Sequence, residues 1–388
     1  MTIHYSREGD IAVLASDNPP VNALGSDVRV GLSEGIKRAV SEGAKAVLIY
    51  GEGRTWFAGA DIREFGKPPV SPILPEVCDE IEACPIPVIG ALHGTVLGGG
   101  LEVAMSCHYR LALPSTKLGV PEVNLGLLPG AGGTQRLPRL AGYDAAISMV
   151  TSGRPVSAGK ALETGIVDKV EDGAPRALGL AYATALVAEG AAPRPVGEMP
   201  APQAPDFAAM RAEVVKKARG QLSPVTAFDA VVASATLPFR EGLAEERRLF
   251  MSLMDTDQRK GLIHAFFAER QVSKLPELEG VAPRALQEIG VIGGGTMGAG
   301  IATAALLAGL NVTLIEMKPE ACEAAHGRIA GNLAGALKRG KISQDKHDAL
   351  LSTALTTTTD YATLSTADLI IEAVFENMDV KKQVFAQS

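Results

Sequence analysis

Two glutamates in glycine-rich surroundings are the residues of this chain best suited to chemistry. Glu102 follows three consecutive glycines at 98–100, and Glu122 lies 20 residues further along, shortly before the glycine-rich run 129–135. Few other charges lie nearby in the sequence. Carboxyl groups in an apolar pocket tend to have raised pKa values, which suits general acid–base catalysis near neutral pH. Taken alone, each glutamate is equally consistent with an ordinary surface position.

Two glycine-containing turns could supply the hydrogen-bond donors that an enolate oxygen needs. The glycines at 98–100 lead directly into a predicted helical stretch at 101–106, and a second turn at 57–61 contains Gly59 and Ala60. Amides at a helix N-terminus have no partner within the helix, and the helix dipole favours negative charge there. Two such turns that meet would form an oxyanion hole. One such turn alone is more simply a tight connection in an α/β fold.

The alternation of short apolar strands with helices predicts the α/β domain that must position these groups. Strands are predicted at 11–16, 46–50 and 87–92, and a helix at 28–41. Five prolines between residues 190 and 206 then predict an extended linker.

A helical segment is predicted after this linker. Ser223 is interpreted as an N-cap that places Pro224 at the first helical position. A second helix is predicted over 241–254. A third is predicted from residue 257, with Phe266 and Phe267 expected in the core.

The overall composition is that of a globular protein of two or three domains. The chain has 388 residues, of which 46% are hydrophobic and 21% charged, and no apolar run is long enough to span a membrane. A net charge of −7, an aromatic content of 4% and the lack of a basic run argue against nucleic-acid binding. Four cysteines without a CxxC pair and six scattered histidines predict reduced thiols and no metal site. The N-terminus lacks a signal-peptide core.

The last part of the chain has the sequence pattern of a dinucleotide-binding fold. Its elements are predicted as a strand at 289–292, a helix at 301–308, a strand at 311–316, a strand at 368–374 and a helix from residue 380. The motif Gly293-x-Gly295-x-x-Gly298 follows the first strand, and its glycines would let the backbone approach a pyrophosphate. Glu316 holds the position of a ribose-binding acid, which favours NAD over NADP.

Three segments together resemble the crotonase (enoyl-CoA hydratase/isomerase) superfamily. They are Phe57-Ala-Gly-Ala-Asp-Ile, Leu97-Gly-Gly-Gly-Leu-Glu102, and Pro121-Glu122 with the later Leu128-Pro-Gly-Ala-Gly-Gly-Thr-Gln, and their order and spacing match along residues 1–190. The resemblance implies the ββα spiral fold of that family. Carried over residue by residue, Glu102 and Glu122 match its catalytic glutamates, and Ala60 and Gly99 match its oxyanion-hole amides.

The resemblance implies syn hydration of a 2-trans-enoyl-CoA to a 3-hydroxyacyl-CoA, because this chain has both glutamates. One carboxylate would activate water for attack at C3, while the other, Glu122 by resemblance, delivers a proton to C2. The same pair could move a proton between C4 and C2, so 3-enoyl-CoA isomerisation is a second implied activity. Arg63 either faces the CoA phosphates or is a solvated surface residue. A non-catalytic acyl-CoA or NAD-binding fragment and thioester hydrolysis stay open as alternatives.

The last segment resembles the NAD-binding domain of 3-hydroxyacyl-CoA dehydrogenases. The run Ile371-Glu-Ala-Val-Phe-Glu-Asn-Met-Asp-Val-Lys-Lys matches that family's second cofactor segment. By carry-over, the NAD site would be lined by the three glycines, by Glu316, and by Met297, Ala373, Glu376 and Lys381. The order of the parts resembles the multifunctional fatty-acid β-oxidation enzymes of peroxisomes and bacteria.

This resemblance spans the whole chain and sets its expected organisation. The expected parts are a crotonase domain at 1–190, a proline-rich linker with helices that pack on that domain at 191–283, and an incomplete Rossmann domain at 284–388. The dehydrogenase family's catalytic Ser, His, Glu and Asn residues would lie beyond Ser388, so we expect a truncated chain without dehydrogenase activity. The resemblance also implies an acyl-CoA substrate, a thiolase partner, and a bacterial cytoplasmic or a peroxisomal location.

Overall fold

The structure, a computed structural model, describes residues 2–64, 67–272 and 274–387. Contacts within the chain divide it into two compact units, residues 1–274 and 275–388. The first unit holds the predicted crotonase domain and most of the helical segment that follows it, and the second holds the predicted dinucleotide fold. The expected part boundaries at residues 190 and 283 stay predictions. Among the described residues, no helix is both long and apolar enough to cross a bilayer.

The strands of the first unit form a six-stranded sheet and a smaller one. They are β1 Ile3–Glu8, β2 Ile11–Ser16, β3 Ala46–Gly51, β4 Val88–Leu92, β5 Thr95–Leu97, β6 Tyr109–Ala112, β7 Lys117–Gly119, β8 Val156–Ser157 and β9 Lys169–Val170. The large sheet has the order β1-β2-β3-β4-β6-β9, and only its β1–β2 pair is antiparallel within the described residues. All residues of β2, β3 and β4 are buried, as in parallel strands covered on both faces. The predicted strands are confirmed.

The helices of the first unit connect the strands of these sheets and pack against them. They are α1 Ser26–Ser41, α2 Leu74–Glu82, α3 Gly99–Ser106, α4 Gly133–Ser152, α5 Ala158–Glu163, α6 Pro175–Ala188, α7 Phe207–Ala218, α8 Leu222–Thr236, α9 Phe239–Met254 and α10 Asp257–Val272. Helix α3 is buried along its whole length, and α8 and α9 pack against α4. The helical segment is thus part of the first unit's own packing.

One predicted helix start is wrong. Gln221 is the N-cap of α8, so Ser223 and Pro224 lie in its first turn instead of at its boundary. The Ser223 hydroxyl donates instead to the carbonyl of Val123, over 3.1 Å. A buried tertiary hydrogen bond therefore replaces the local cap that the Ser-Pro pair suggests.

The second unit is a parallel sheet of order β12-β11-β10-β13 with helices between its strands. Its elements are β10 Glu288–Ile292, α11 Thr296–Leu307, β11 Asn311–Ile315, α12 Pro319–Lys338, α13 Gln344–Ser352, β12 Leu355–Thr358, β13 Leu369–Glu372 and α14 Met378–Phe385. Helix α11 begins at Thr296, earlier than predicted, because the second half of the glycine loop forms its first turn. This places the loop at the N-terminus of a helix, where amides are free to bind an anion.

Candidate active site

A deep cleft in the first unit collects the residues that the sequence predicts to act on a thioester. Its volume is about 1070 Å³, and Ala60, Gly99, Glu102 and Glu122 all line it. They come from the turn after β3, from the first residue of α3, from the middle of α3, and from the short 3-10 helix Pro121–Leu125. The fold therefore brings four residues that are distant in sequence to one surface.

The Ala60 and Gly99 amides lie close together at the N-terminus of α3. A Cβ atom added to Gly99 would lie 3.9 Å from the Ala60 nitrogen. Ala60 is held by a parallel bridge to Leu24, whose amide donates to the Gly59 carbonyl over 2.9 Å. Within the part of the chain that the structure describes, neither the Ala60 nor the Gly99 amide donates a hydrogen bond. Two such amides beside a helix N-terminus are suited to a negatively charged oxygen.

Steric contacts explain why glycines precede Leu101. Gly98 has a φ of +55° and a ψ of −129°, a conformation that residues with a Cβ rarely adopt. A Cβ atom on Gly100 would lie 1.9 Å from the Phe57 carbonyl oxygen. The glycines thus allow α3 to approach the turn at 57–61, and this approach brings the two amides together.

Glu102 is buried, with only 2% of its surface exposed. Its Oε1 atom accepts hydrogen bonds from the amides of Ala131, at 2.7 Å, and Gly133, at 2.9 Å. Burial raises the pKa of Glu102, while these two amides and the charge of Arg136 act in the opposite direction. The carboxyl group is therefore fixed in orientation and supplied with donors that favour its ionised form.

Glu122 lies against the first glycine of the run at 98–100. A Cβ atom on Gly98 would lie 3.0 Å from Glu122 Oε1. The Oε2 atom is buried and has no hydrogen-bond partner among the described residues. Burial, and then the negative charge of Glu102, raise the pKa of Glu122 well above its usual value. The raised pKa favours the protonated form of Glu122, which suits donation of a proton into the cleft.

Another buried carboxyl group, that of Glu246 on α9, lies beside this pair. Glu246 is 1% exposed, and it accepts hydrogen bonds from the Gly132 amide and from the amide and hydroxyl of Thr134. Burial, and then the charge of Glu102, raise the pKa of Glu246 to about 8. Sequence reasoning missed this residue. It stands in a charged helical stretch, 241–248, in which nothing local distinguishes it from the exposed glutamate at 241.

Helices α9 and α10 close one side of the cleft with aromatic and basic side chains. Arg247, Phe250, Phe266 and Arg270 line it, and the Arg270 guanidinium lies 3.4 Å from the Phe266 ring centroid. The prediction that the phenylalanines at 266 and 267 belong to the core is wrong, since no described residue of α10 is buried. The apolar side of α10 contributes to the cleft instead of the core.

Arg63 lies at the surface beside the cleft, and its contact with CoA phosphates stays a prediction. Its side chain is 75% exposed and forms an ion pair with Asp61 at 2.7 Å, and it also lines the cleft. Lys67 and Arg29 line the cleft nearby. Asp61 and Glu64 line the same side, and Glu64 forms an ion pair with Arg29 at 2.8 Å.

In the second unit, the glycine loop has the geometry of a nucleotide-binding turn. Gly293 has a φ of +98°, and a Cβ atom on Gly298 would lie 1.7 Å from the Gly293 carbonyl oxygen. An added Cβ on Gly295 would meet no atom within 4 Å, so open space faces the loop at the start of α11. Glu316 Oε1 accepts the Gly294 amide at 2.7 Å, which fixes the predicted ribose-binding acid beside the loop.

The other residues predicted for this site lie on β13, α11 and α14 or next to them. A Cβ atom on Gly293 would lie 2.7 Å from the Ala373 carbonyl oxygen, so Ala373 packs directly on the loop. Met297 is 72% exposed in the first turn of α11. Lys381 forms ion pairs with Glu376, at 2.9 Å, and with the glutamate at 372, at 3.3 Å. The structure thus groups Ala373 with the glycine loop and joins Lys381 to Glu376.

Each of the two units contains a segment that matches a known protein family. Residues 6–185 match the family described as enoyl-CoA hydratase/isomerase, and residues 288–388 match the NAD-binding domain of 3-hydroxyacyl-CoA dehydrogenase. Each of the two units thus contains a segment that is similar to one of these families. The cleft lies in the hydratase/isomerase unit and the glycine loop in the NAD-binding unit.

Longer relatives have the same order of domains. The chain is 40% identical over 387 residues to the peroxisomal bifunctional enzyme of Danio rerio, and 36% identical over 406 residues to the glyoxysomal fatty acid β-oxidation multifunctional protein MFP-a of Brassica napus. These matches cover 97% and 99% of the chain and 53% and 55% of the relatives. The chain thus spans about half the length of the curated relatives it matches.

Solved structures support the hydratase/isomerase fold of the first unit. A crystal structure of an enoyl-CoA hydratase/isomerase from Pseudoalteromonas atlantica is 21% identical, with a TM-score of 0.52, and the match covers 69% of this chain and 98% of that one. At this identity the likeness shows the fold alone.

Proposed function

We propose that the first unit adds water to 2-trans-enoyl-CoA thioesters and forms 3-hydroxyacyl-CoA, a step of fatty-acid β-oxidation. The observation that carries the proposal is the grouping, in one cleft, of two carboxyl groups with raised pKa values and two amides without acceptors. Acid–base chemistry next to an oxyanion site is what water addition to a conjugated thioester requires. The family match and the names of the longer relatives support the same reaction.

The thioester carbonyl oxygen is proposed to accept hydrogen bonds from the Ala60 and Gly99 amides. These donors draw electron density away from the C2–C3 double bond and stabilise the enolate that forms when C3 is attacked. A preorganised donor of this kind typically contributes about 3–4 kcal/mol to lowering the barrier. The helix dipole of α3 adds to this effect, because Gly99 is its first residue.

The two glutamates are proposed to take opposite roles in the proton transfers. Glu102, whose two amide donors favour the ionised form, removes a proton from water as the oxygen bonds to C3. Glu122, whose raised pKa favours its protonated form, gives its proton to C2 as the double bond is lost. Water is thereby added across one double bond, and one proton returns from Glu102 to Glu122 before the next turnover.

Isomerisation of 3-enoyl-CoA to 2-enoyl-CoA is a second candidate reaction. It needs a carboxylate that removes a proton from C4, a carboxylic acid that protonates C2, and the same enolate stabilisation. The difference in hydrogen bonding between Glu102 and Glu122 supports it, because one acid is ionised more readily than the other.

The rims of the cleft suit the phosphates of CoA. The exposed side chains of Arg63 and Lys67 line one side together with Asp61 and Glu64, and Arg247 and Arg270 line another. Cations near a cleft mouth attract an anionic substrate and raise its rate of association. Acyl-CoA is therefore the proposed substrate class.

We also propose that the second unit binds NAD. The first turn of α11 and the preceding loop would hold the pyrophosphate, and Glu316 would bind the ribose hydroxyls. The chemistry that bound NAD would supply is acceptance of a hydride from a 3-hydroxyacyl group. Dehydrogenation by a longer parent protein, a thiolase partner and a peroxisomal or bacterial cytoplasmic location are proposals that rest on the longer relatives.

The proposed reaction is tested by following the conjugated thioester absorbance of crotonyl-CoA with the purified chain. We expect this absorbance to fall with turnover, and 3-hydroxybutyryl-CoA to form. A Glu102→Gln/Glu122→Gln double variant should have no activity above background. Binding of crotonyl-CoA by calorimetry without any turnover would instead identify a non-catalytic fragment, and full activity of the double variant would refute the assignment of the two acids.

A further inference from the structure

Four consecutive backbone amides, at 131–134, are shared between two carboxyl groups. The Gly132 amide donates to Glu246 Oε1 over 2.7 Å, and the Thr134 amide and hydroxyl donate to Oε2 over 2.9 and 2.6 Å. The alternate amides, at 131 and 133, donate to Glu102. The turn therefore lies between the two acids. Displacing it from Glu246 would also move the amides that hold Glu102.

Glu246 reaches this turn through a close approach of two helices. A Cβ atom on Gly242, one turn earlier in α9, would lie 2.2 Å from Gln135 Oε1 on α4. The Gln135 amide nitrogen donates to the Thr134 hydroxyl and to the Ala230 carbonyl, each over 2.9 Å. The resulting buried network joins α4, α8 and α9, and its end is the carboxyl group of Glu246.

We propose that Glu246 is a positioning residue for the hydration reaction, which fixes the turn at 131–134 so that its amides hold Glu102 in place. The inference rests on the proposed function of the first unit. Helix α9 lies outside residues 6–185, the segment that matches the hydratase/isomerase family. The helical segment thus contributes to the orientation of an acid within the family domain.

The chemistry of the turn requires a carboxyl group at position 246. Both oxygens of a carboxyl group carry lone pairs, whether the group is ionised or protonated. Glutamine has one such oxygen, and its NH₂ group would face the donors of either Gly132 or Thr134. A glutamine at this position therefore fits the space but cannot hold both ends of the turn.

Glu246 also influences the charge of the acid pair. The charged groups around it are Glu102 on α3, Glu122 on the 3-10 helix, Asp79 on α2, Arg136 on α4 and Arg247 on α9. The negative charge of Glu246 raises the pKa of Glu122. Removing the charge of Glu246 should lower the pKa of Glu122, so that Glu122 loses its proton at a lower pH.

The test compares four variants in the full chain. Glu246→Gln and Thr134→Val each remove part of the network. Thr134→Ser keeps the hydroxyl group, and Glu245→Gln is the matched control, since Glu245 is the adjacent residue and forms an ion pair with Arg248. The measurements are kcat and KM for crotonyl-CoA hydration, their pH dependence, and thermal unfolding.

We expect kcat of Glu246→Gln to fall by about 10- to 100-fold with little change in KM, because a displacement of about 1 Å in a catalytic group has an effect of this size. The alkaline limb of the pH profile should move to lower pH. Thr134→Val should lose activity in the same direction, whereas Thr134→Ser and Glu245→Gln should stay close to wild type.

Three outcomes would overturn the inference. Wild-type kcat and an unmoved pH profile in Glu246→Gln would show that the residue only anchors α9. Equal activities of Thr134→Val and Thr134→Ser would also show that Glu246 only anchors α9. This second comparison tests the inference even if Glu246→Gln does not fold. A wild-type chain without hydratase activity would reject the proposed function itself, and the inference with it.

Discussion

Replacing Glu102 by glutamine should remove acid–base catalysis while leaving the site folded. Glu102 Oε1 accepts two amides, and a glutamine oxygen has the two lone pairs needed to accept both. Positioned general acid–base catalysis contributes about 10²- to 10⁴-fold in rate. We therefore expect kcat for crotonyl-CoA hydration to fall by a factor in this range, with KM little changed.

Alanine at the same position should have a different effect. Glu102→Ala leaves the Ala131 and Gly133 amides without an acceptor in a buried site. An unsatisfied buried donor costs about 1–3 kcal/mol, so the free energy of unfolding of the first unit should fall by about 2–6 kcal/mol. The glutamine variant should keep nearly the wild-type value.

Steady-state hydration of crotonyl-CoA and urea unfolding, measured on both variants, separate the two effects. A Glu102→Gln variant that keeps most of the wild-type kcat would refute the catalytic assignment. A glutamine variant as unstable as the alanine variant would refute the role given to the two hydrogen bonds.

Three further predictions address the amides, the buried acids and the NAD loop. Gly100→Ala should lower kcat/KM by about 100-fold, because its Cβ would lie 1.9 Å from the Phe57 carbonyl oxygen and would displace an oxyanion-site turn; a structure of the variant with both turns unmoved would contradict this. The pKa of Glu246 is raised to about 8 in the folded chain, so the folded state binds a proton more tightly than the unfolded state, in which the pKa is about 4.3. The resulting contribution to stability is complete below pH 4.3, roughly, and is lost as the pH rises towards 8. Between pH 5 and 8, the urea midpoint of the wild type should therefore fall more than that of Glu246→Gln. If the two midpoints fall equally with pH, the raised pKa of Glu246 is refuted. Gly298→Ala should weaken NADH binding at least about tenfold in a fluorescence titration, because a Cβ there would lie 1.7 Å from the Gly293 oxygen; unchanged affinity would argue against the loop as the NAD site.

The sequence was sufficient for the features that depend on local residue patterns. Fully apolar runs such as 46–50 predicted buried strands correctly, because parallel strands covered on both faces admit little else. The glycine motifs predicted the similarity to both families, since their spacing reflects backbone approaches that a Cβ would block, as at Gly100 and Gly298. The chemistry proposed for Glu102 and Glu122 could be formulated from these motifs alone.

Tertiary packing determined features that no local sequence pattern predicts. Glu246 is buried because Gly242 lets α9 approach α4, and this contact joins residues more than 100 positions apart. The α8 start before Ser223 and the placement of Phe266 in the cleft likewise depend on neighbouring elements. The raised pKa values arise from burial and from the proximity of three acids, which are properties of the folded chain and not of any segment. The sequence by itself thus determined which groups could act, and the tertiary structure determined how they are oriented and protonated, because orientation and desolvation come from contacts between distant segments.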